Sequence, residues 1–225
     1  MDPVIPGLYA SAPEPVPFGP SMVIRAYLLQ REAGNLVVYR ADTVRQKEAE
    51  LNRLGGIRRQ YLNHRHEAAP ACDWIAASFG APLHCHESDA PSASAGCKVD
   101  ETFSARQRLD DDFEVIPTPG HTSGATCYLW DTGEHRCLFT GDTIFFPRGE
   151  WRALLLRSDA PAPLDGASDR ERYVESLELV RSLGFDLIVP SLSTADRPHY
   201  EFVDRQEAER RIDAILARVR RGENG

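Results

Sequence analysis

Two histidines separated by one residue, His64 and His66, are the first residues in the chain whose types and spacing could do chemistry. They come at the end of a mostly extended run that begins at Ile57. At the end of a strand, residues two apart point to the same side. Both imidazoles could therefore reach one metal ion, with Arg65 turned away.

Two later motifs could supply the remaining ligands. His121 lies in the motif PGHTSG at residues 119–124, and Asp142 lies in the motif TGDT at residues 140–143. Gly120 and Gly141 would let the backbone turn so that the next side chain projects from a loop. Three imidazoles and one carboxylate suit a single divalent ion, with zinc as the first expectation and iron or manganese as alternatives.

Hairpins and helices must position these residues. Glycine and asparagine or aspartate between apolar runs predict two β-hairpins, at residues 25–39 and 126–140. Capping and stop residues predict four helices, starting at Asp42 or Thr43, at Pro70, at the capping box Ser168–Glu171 and near Asp204. Further strands are predicted at residues 57–64, 82–86 and 185–189. Residues 90–96 are predicted to form a surface loop.

The composition describes an ordinary globular protein. A length of 225 residues suits one α/β domain spanning residues 1–225. The net charge of -8 argues against a nucleic-acid partner, and no apolar run approaches the ~20 residues that a membrane span needs. Five cysteines without a CxxC pair, and a start without a secretion signal, predict free thiols and a cytoplasmic location. A homo-oligomer is compatible with the sequence.

In their order and spacing, these motifs resemble the metallo-β-lactamase superfamily, which includes glyoxalase II. The resemblance covers most of the chain and includes a late strand that ends at Pro190. It implies a four-layer αβ/βα sandwich with a metal site at the sheet edge. It also implies that His64, His66 and His121 hold a first metal ion and that Asp142 is the ligand shared with a second.

The chain departs from the family pattern at the second metal ion. The family motif HxHxDH would place aspartate and histidine at the positions of Ala68 and Ala69. The family's PGHG motif would place a histidine at the position of Leu192. Three losses at one site predict a divergent member with at most one metal ion.

Three functions follow from this interpretation. The first is a mononuclear hydrolase of a small ester, thioester, lactone or phosphoester, in which Asp142 is both ligand and water-orienting base and Glu67 assists if its side chain turns inward. The second is a mononuclear iron dioxygenase-like enzyme, because two histidines and a carboxylate resemble such sites. The third is a degenerate member that binds a ligand or a partner without catalysis.

Other residues receive structural interpretations. Thr122 and Thr143 are predicted to hydrogen-bond to the ligands and fix them. His84 and His86 form a rival pair, for which a structural role is expected, and His199 is expected to lie too far along the chain to replace the missing ligand. A group of basic residues after Asp142 could attract an anionic substrate, although a solvated loop is the simpler interpretation: Arg148, Arg152 and Arg157, with Trp151.

Overall fold

The computed structural model describes residues 1–17, 19, 21–40, 42–156 and 167–223. The first large sheet has seven strands, in the spatial order β1 (Asp2–Ile5), β2 (Leu8–Ala10), β5 (Tyr27–Leu29), β6 (Leu36–Val38), β7 (Arg59–Tyr61), β8 (Leu83–His86) and β9 (Glu101–Phe103). The second has six, in the order β10 (Gln107–Leu109), β11 (Phe113–Pro117), β12 (Thr126–Asp131), β13 (Arg136–Gly141), β14 (Leu187–Pro190) and β16 (Glu201–Phe202). A small third sheet has the order β15 (Leu192–Thr194), β4 (Met22–Ile24) and β3 (Glu14–Pro15).

Both predicted hairpins are confirmed. β5 pairs antiparallel with β6, and β12 pairs antiparallel with β13. The strands that lead toward the candidate site are parallel instead: β6, β7 and β8 run parallel to one another, and β13 runs parallel to β14. Parallel strands end at the same edge of a sheet, so β13 and β14 bring Asp142 and Ser191 to one place.

Helices cover the outer faces of both large sheets. They are α1 (Glu48–Arg53), α2 (Pro70–Phe79), α3 (Ala90–Ala93), α4 (Arg170–Ser182) and α5 (Arg205–Arg220). Pro70 occupies the first turn of α2, and Gly80 ends it with a φ of 65°. The carboxylates of Asp169 and Asp204 accept hydrogen bonds from backbone N–H groups in the first turns of α4 and α5. None of the helices in the described ranges is both long and apolar enough to cross a membrane.

Three local predictions need correction. The helix predicted from Asp42 begins as a 3₁₀ helix, Asp42–Lys47, before it continues as α1. The predicted loop at residues 90–96 opens with the short helix α3. The capping-box prediction placed the cap of α4 at Ser168, but Asp169 caps this helix. The Ser168 hydroxyl instead donates to the backbone oxygen of His121 at 3.1 Å, and so it holds a loop at the candidate site and does not cap the helix.

Apolar alternation along the strands produces the layers. In β5 and β6, Tyr27, Leu29 and Val38 face the core between the two large sheets, whereas Leu28 and Val37 pack in the cluster under α1 and α2. The second sheet packs its other face against α4 and α5. The result is the predicted four-layer αβ/βα sandwich, because each sheet buries both faces.

Candidate metal centre

His64 and His66 come together through a turn, not through strand alternation. β7 already ends at Tyr61, and His64 is extended, with φ -159° and ψ 169°. His66 lies within a 3₁₀ turn, Arg65–Glu67, in which the Glu67 N–H donates to the His64 carbonyl at 3.2 Å. The prediction of a strand at this pair is therefore wrong. The turn nevertheless places the two ring centroids 5.0 Å apart.

The structure brings all four predicted residues together. One ligand atom from each of His64, His66 and His121 lies within 4.8 Å of the others. The three rings are nearly perpendicular to one another, with centroids 4.7 to 5.5 Å apart. Asp142 Oδ2 lies 3.5 Å from His64 Nε2 and 3.7 Å from His121 Nε2. These three histidines could hold one metal ion, with the carboxylate beside it.

His121 has the hydrogen bonding that a metal ligand needs. Its Nδ1 donates to the Leu154 carbonyl at 2.9 Å, which leaves the lone pair on Nε2. Nε2 is buried and has no hydrogen-bond partner among the described residues. A buried acceptor in this condition costs free energy unless something binds it. The donor set and this orphaned nitrogen fit a divalent ion.

The loop that carries His121 packs closely against α4. Gly120 has a φ of 146°, and a Cβ at this position would lie 2.5 Å from the Tyr173 Cα. The Gly120 carbonyl accepts from the Asp169 N–H at 2.9 Å. The Tyr173 hydroxyl donates to the Asp142 carbonyl at 3.1 Å. The first turn of α4 therefore supports both His121 and Asp142, and only glycine allows the close approach.

Asn63 joins two of the ligands, a role that sequence reasoning missed. Its Oδ1 lies 3.0 Å from His64 Nδ1 and accepts from the Asp142 N–H at 3.2 Å. Its Nδ2 donates to the carbonyls of Thr126 and Thr140 in the second sheet. Gly141 makes room for this amide, because a Cβ there would lie 1.9 Å from Asn63 Cγ. The available sequence signal was that a polar residue, Asn63, stands directly before the histidine pair.

The charge state of His64 also suits a ligand. Burial, with the nearby His121 and His66 adding to it, holds the pKa of His64 well below its usual range. The imidazole is therefore neutral at pH 7, and a neutral ring is the form that binds metal.

Asp89 ties the two histidine-bearing loops together, and sequence reasoning missed it too. Its buried carboxylate accepts from the Arg65 N–H at 2.9 Å, from the Thr122 hydroxyl at 2.6 Å and from the Gly124 N–H at 3.1 Å. The prediction that Thr122 and Thr143 hydrogen-bond to the ligands is not supported by these contacts. The Thr122 hydroxyl donates to Asp89, and the Thr143 hydroxyl lies 3.3 Å from that of Thr118.

With the geometry in place, comparison with known proteins identifies the family. The model of the metallo-beta-lactamase superfamily matches residues 73–191, just over half of the chain. The chain belongs to the metallo-β-lactamase superfamily. The predicted membership is thus confirmed, although the match begins after the pair His64 and His66.

Solved structures of superfamily proteins show the same fold, and one curated protein is similar in sequence. An archaeal superfamily protein from Sulfolobus tokodaii is 17% identical with a TM-score of 0.63, over 93% of this chain and 86% of that one. A metallo-β-lactamase from Cronobacter sakazakii with a HARLDQ motif is 15% identical with a TM-score of 0.65, over 96% and 91% of the two chains. The uncharacterized protein YmaE of Bacillus subtilis (strain 168) is 31% identical over 127 residues. That match spans 53% of this chain and less than half, 44%, of YmaE.

The positions that depart from the superfamily pattern lie together in space. A cavity of about 280 Å³ contains His64, His66 and Asp142 in its wall. Ala68, Ala69 and Leu192 line the same cavity. Ala68, Ala69 and Leu192, called the apolar patch below, thus line one cavity with the histidines, at the positions where the resemblance predicts second-metal ligands. Methyl and isobutyl groups offer a metal ion no lone pair, so these three described residues cannot act as the ligands that the resemblance predicts for a second ion.

Two further ionisable side chains, Glu67 and Arg40, line this cavity. Glu67 is buried and lines it, with Oε2 accepting from the Asn63 N–H at 2.7 Å. Burial raises the pKa of Glu67 well above its usual range, and the nearby Asp142 carboxylate adds to the effect. Arg40 also lines the cavity and pairs with Glu14 and Asp42, each at 2.9 Å. Sequence reasoning considered Glu67 but not Arg40.

The arginines suspected from the sequence lie elsewhere. Neither Arg148 nor Arg152 is among the described residues that line the cavity. Arg152 pairs with Glu150 at 2.6 Å, and Trp151 is buried with its indole N–H donating to Glu201. The third arginine of that prediction, at position 157, lies outside the described residues.

The rival histidines have structural contacts. His84 stacks on Tyr61 with ring centroids 4.5 Å apart, and its Nε2 lies 3.1 Å from Glu101. The Nδ1 of His86 accepts from the Ser88 N–H. His199 Nδ1 lies 2.8 Å from the Tyr27 hydroxyl and is not among the described residues that line the cavity.

Proposed function

We propose that this protein is a mononuclear metal-dependent hydrolase of a small carbonyl compound. One observation carries the proposal. The three-histidine set and Asp142 converge, whereas the positions of the second-metal ligands form the apolar patch Ala68, Ala69 and Leu192. Zinc is the metal we propose first, because three imidazoles and a carboxylate suit it, and iron and manganese are the alternatives.

The side chains divide the work of hydrolysis among them. His64, His66 and His121 would hold the ion, with Asp142 Oδ2 as the fourth ligand. When bound, a divalent ion lowers the pKa of a coordinated water to about 7 and polarises the substrate carbonyl. Glu67 takes over proton transfer from the aspartate that the resemblance predicts at Ala68, because its carboxyl group lines the same cavity as the histidines and follows His66 directly in the chain.

The cavity supports a small, weakly charged substrate. A volume of about 280 Å³ is just below the usual range of roughly 300–1,000 Å³ for small-molecule sites. Much of its wall is apolar, and the apolar residues that line it are Pro15, Val16, Pro17, Ile24, Ala68, Ala69 and Leu192. This wall suits the hydrocarbon part of an ester, thioester or lactone.

The charges in the cavity oppose a phosphomonoester, which carries nearly two negative charges at pH 7. Among the described residues that line it, three carry carboxyl groups, Glu14, Glu67 and Asp142, and one, Arg40, is a basic side chain. Arg40 is already shared between two carboxylates. We therefore propose that an anionic substrate, if used, carries one negative charge that Arg40 meets.

Metal analysis and a substrate panel test this function. Protein purified without added metal is analysed for zinc, iron and manganese, beside the variant His121→Ala. The expected result is one ion per chain in the wild type and none in the variant. Both proteins are then assayed on an aryl ester, a thioester, a lactone and a phosphodiester, and turnover of a carbonyl substrate by the wild type alone is expected.

Three results would contradict the proposal. Two tightly bound ions would show that the apolar patch does not exclude the second site. A metal-free protein with no turnover on the whole panel would remove the hydrolase. Oxygen consumption by iron-loaded protein, with no hydrolysis, would replace it with the dioxygenase-like alternative.

A further inference from the structure

The two oxygens of Asp142 have different partners. Oδ2 faces the Nε2 atoms of His64 and His121 at 3.5 and 3.7 Å. Oδ1 accepts a hydrogen bond from the Ser191 hydroxyl at 2.8 Å. Asp142 and Ser191 are each only 5% exposed, so water competes little for this bond. One oxygen is thus turned to the histidines and the other is held by a hydroxyl.

The backbone around Ser191 is held by contacts that do not involve the Asp142 side chain. Ser191 joins the end of β14 to the start of β15. Its carbonyl accepts from the Arg25 N–H at 3.2 Å. The preceding residue, Pro190, pairs with Gly141 in the parallel register of β13 and β14. The position of the Ser191 Cα relative to Asp142 is therefore set by strand pairing, which keeps the hydroxyl within reach of the carboxylate.

The surroundings explain why Oδ1 needs this donor. A carboxylate oxygen out of water is costly unless a donor or a cation meets it. The side chains that line the cavity together with Asp142 include Ala68, Ala69 and Leu192, none of which can hold a cation. Ser191 supplies the missing partner as a hydroxyl proton.

We propose that Ser191 is a positioning residue. Its hydroxyl is bonded to Asp142 Oδ1, the oxygen that a second metal ion would otherwise bind. Its hydroxyl fixes the carboxylate rotamer so that Oδ2 alone is presented to the three histidines. It also occupies Oδ1, which adds a second barrier to binding two ions. This inference rests on the proposed mononuclear site.

Metal affinity is the readout that tests Ser191. Zinc dissociation constants are measured by competition with a chromophoric chelator for the wild type, Ser191→Ala, Ser191→Gly and Ser191→Thr. Losing the hydroxyl should weaken binding roughly 10- to 100-fold, as removal of partners of metal ligands typically does. Ser191→Thr keeps a hydroxyl and should restore most of the affinity. The visible absorption of cobalt-loaded protein should change in the alanine and glycine variants, because Asp142 is no longer held.

A matched control separates positioning from general damage. Ser193 is also buried, and its Oγ accepts from Arg25 instead of meeting Asp142. Ser193→Ala should bind zinc as the wild type does, and melting of each metal-free variant reports whether it folds. If the wild type binds one ion and folded Ser191→Ala binds it equally tightly, the role of Ser191 is refuted and the hydrolase stands. If the wild type binds no ion, the proposed function fails and this inference fails with it.

Discussion

Replacing Asn63 by alanine should damage both stability and the metal site. The amide lies at hydrogen-bond distance from four buried groups: His64 Nδ1, the Asp142 N–H and the carbonyls of Thr126 and Thr140. A buried polar group stripped of its partner costs about 1–3 kcal/mol. Water entering the vacated space relieves part of that cost, so we take the lower end, about 1 kcal/mol for each of the four groups. The free energy of unfolding should therefore fall by about 4 kcal/mol. In a chain of this length such a loss lowers Tm by roughly 8–16 °C.

Asn35 provides a matched control for this experiment. It is also buried, and its side chain makes three hydrogen bonds, to the carbonyls of Leu54 and Gly56 and from the Arg31 N–H. Urea unfolding of metal-free protein should show a comparable loss for Asn35→Ala and Asn63→Ala. Zinc affinity should fall about 10- to 100-fold for Asn63→Ala only. Equal zinc affinity in the two variants would refute the idea that this amide positions the ligands. A decrease below about 1 kcal/mol in the free energy of unfolding of Asn63→Ala would refute its contribution to stability.

Three further predictions follow from the same contacts. Gly141→Ala should lower the free energy of unfolding by more than about 4 kcal/mol, because its Cβ would overlap Asn63. Gly133 is also at positive φ but would have no atom within 4 Å of its Cβ, so Gly133→Ala should lower it by only about 1–2 kcal/mol. Urea unfolding measures both. Burial lowers the pKa of His199 from 6.5 to about 4. Between these two pH values the unfolded chain binds a proton at His199 that the folded chain does not. Wild-type stability should therefore fall as pH drops from 6.5 to 4, and His199→Asn should show a smaller fall in melts at both pH values. Restoring the second-metal ligands should raise the zinc content from one ion to two per chain by elemental analysis, with these substitutions combined: Ala68→Asp, Ala69→His, Ser191→Gly and Leu192→His.

Local signals in the sequence were sufficient for much of the fold. Pro70 and Gly80 bound α2 because proline suits the first turn of a helix and glycine adopts the left-handed conformation that ends one. Gly34 adopts positive φ in the loop between β5 and β6 for the same reason. These outcomes depend on a few adjacent residues, which a sequence displays directly. The prediction of a strand reaching His64 was wrong because the turn at Arg65–Glu67 is held by distant contacts, including that of Asp89 with the Arg65 N–H.

The sequence by itself determined which ligand types the chain offers and which it lacks. The histidines at positions 64, 66 and 121, the aspartate at 142 and the alanines at 68 and 69 can be identified by residue type and order alone. Only the tertiary structure decided what holds them. Asn63 and Asp142 are 79 residues apart, and Ser191 and Asp142 are 49 apart. An asparagine or a serine has many possible partners, and only the packing of the two sheets selects the one it meets.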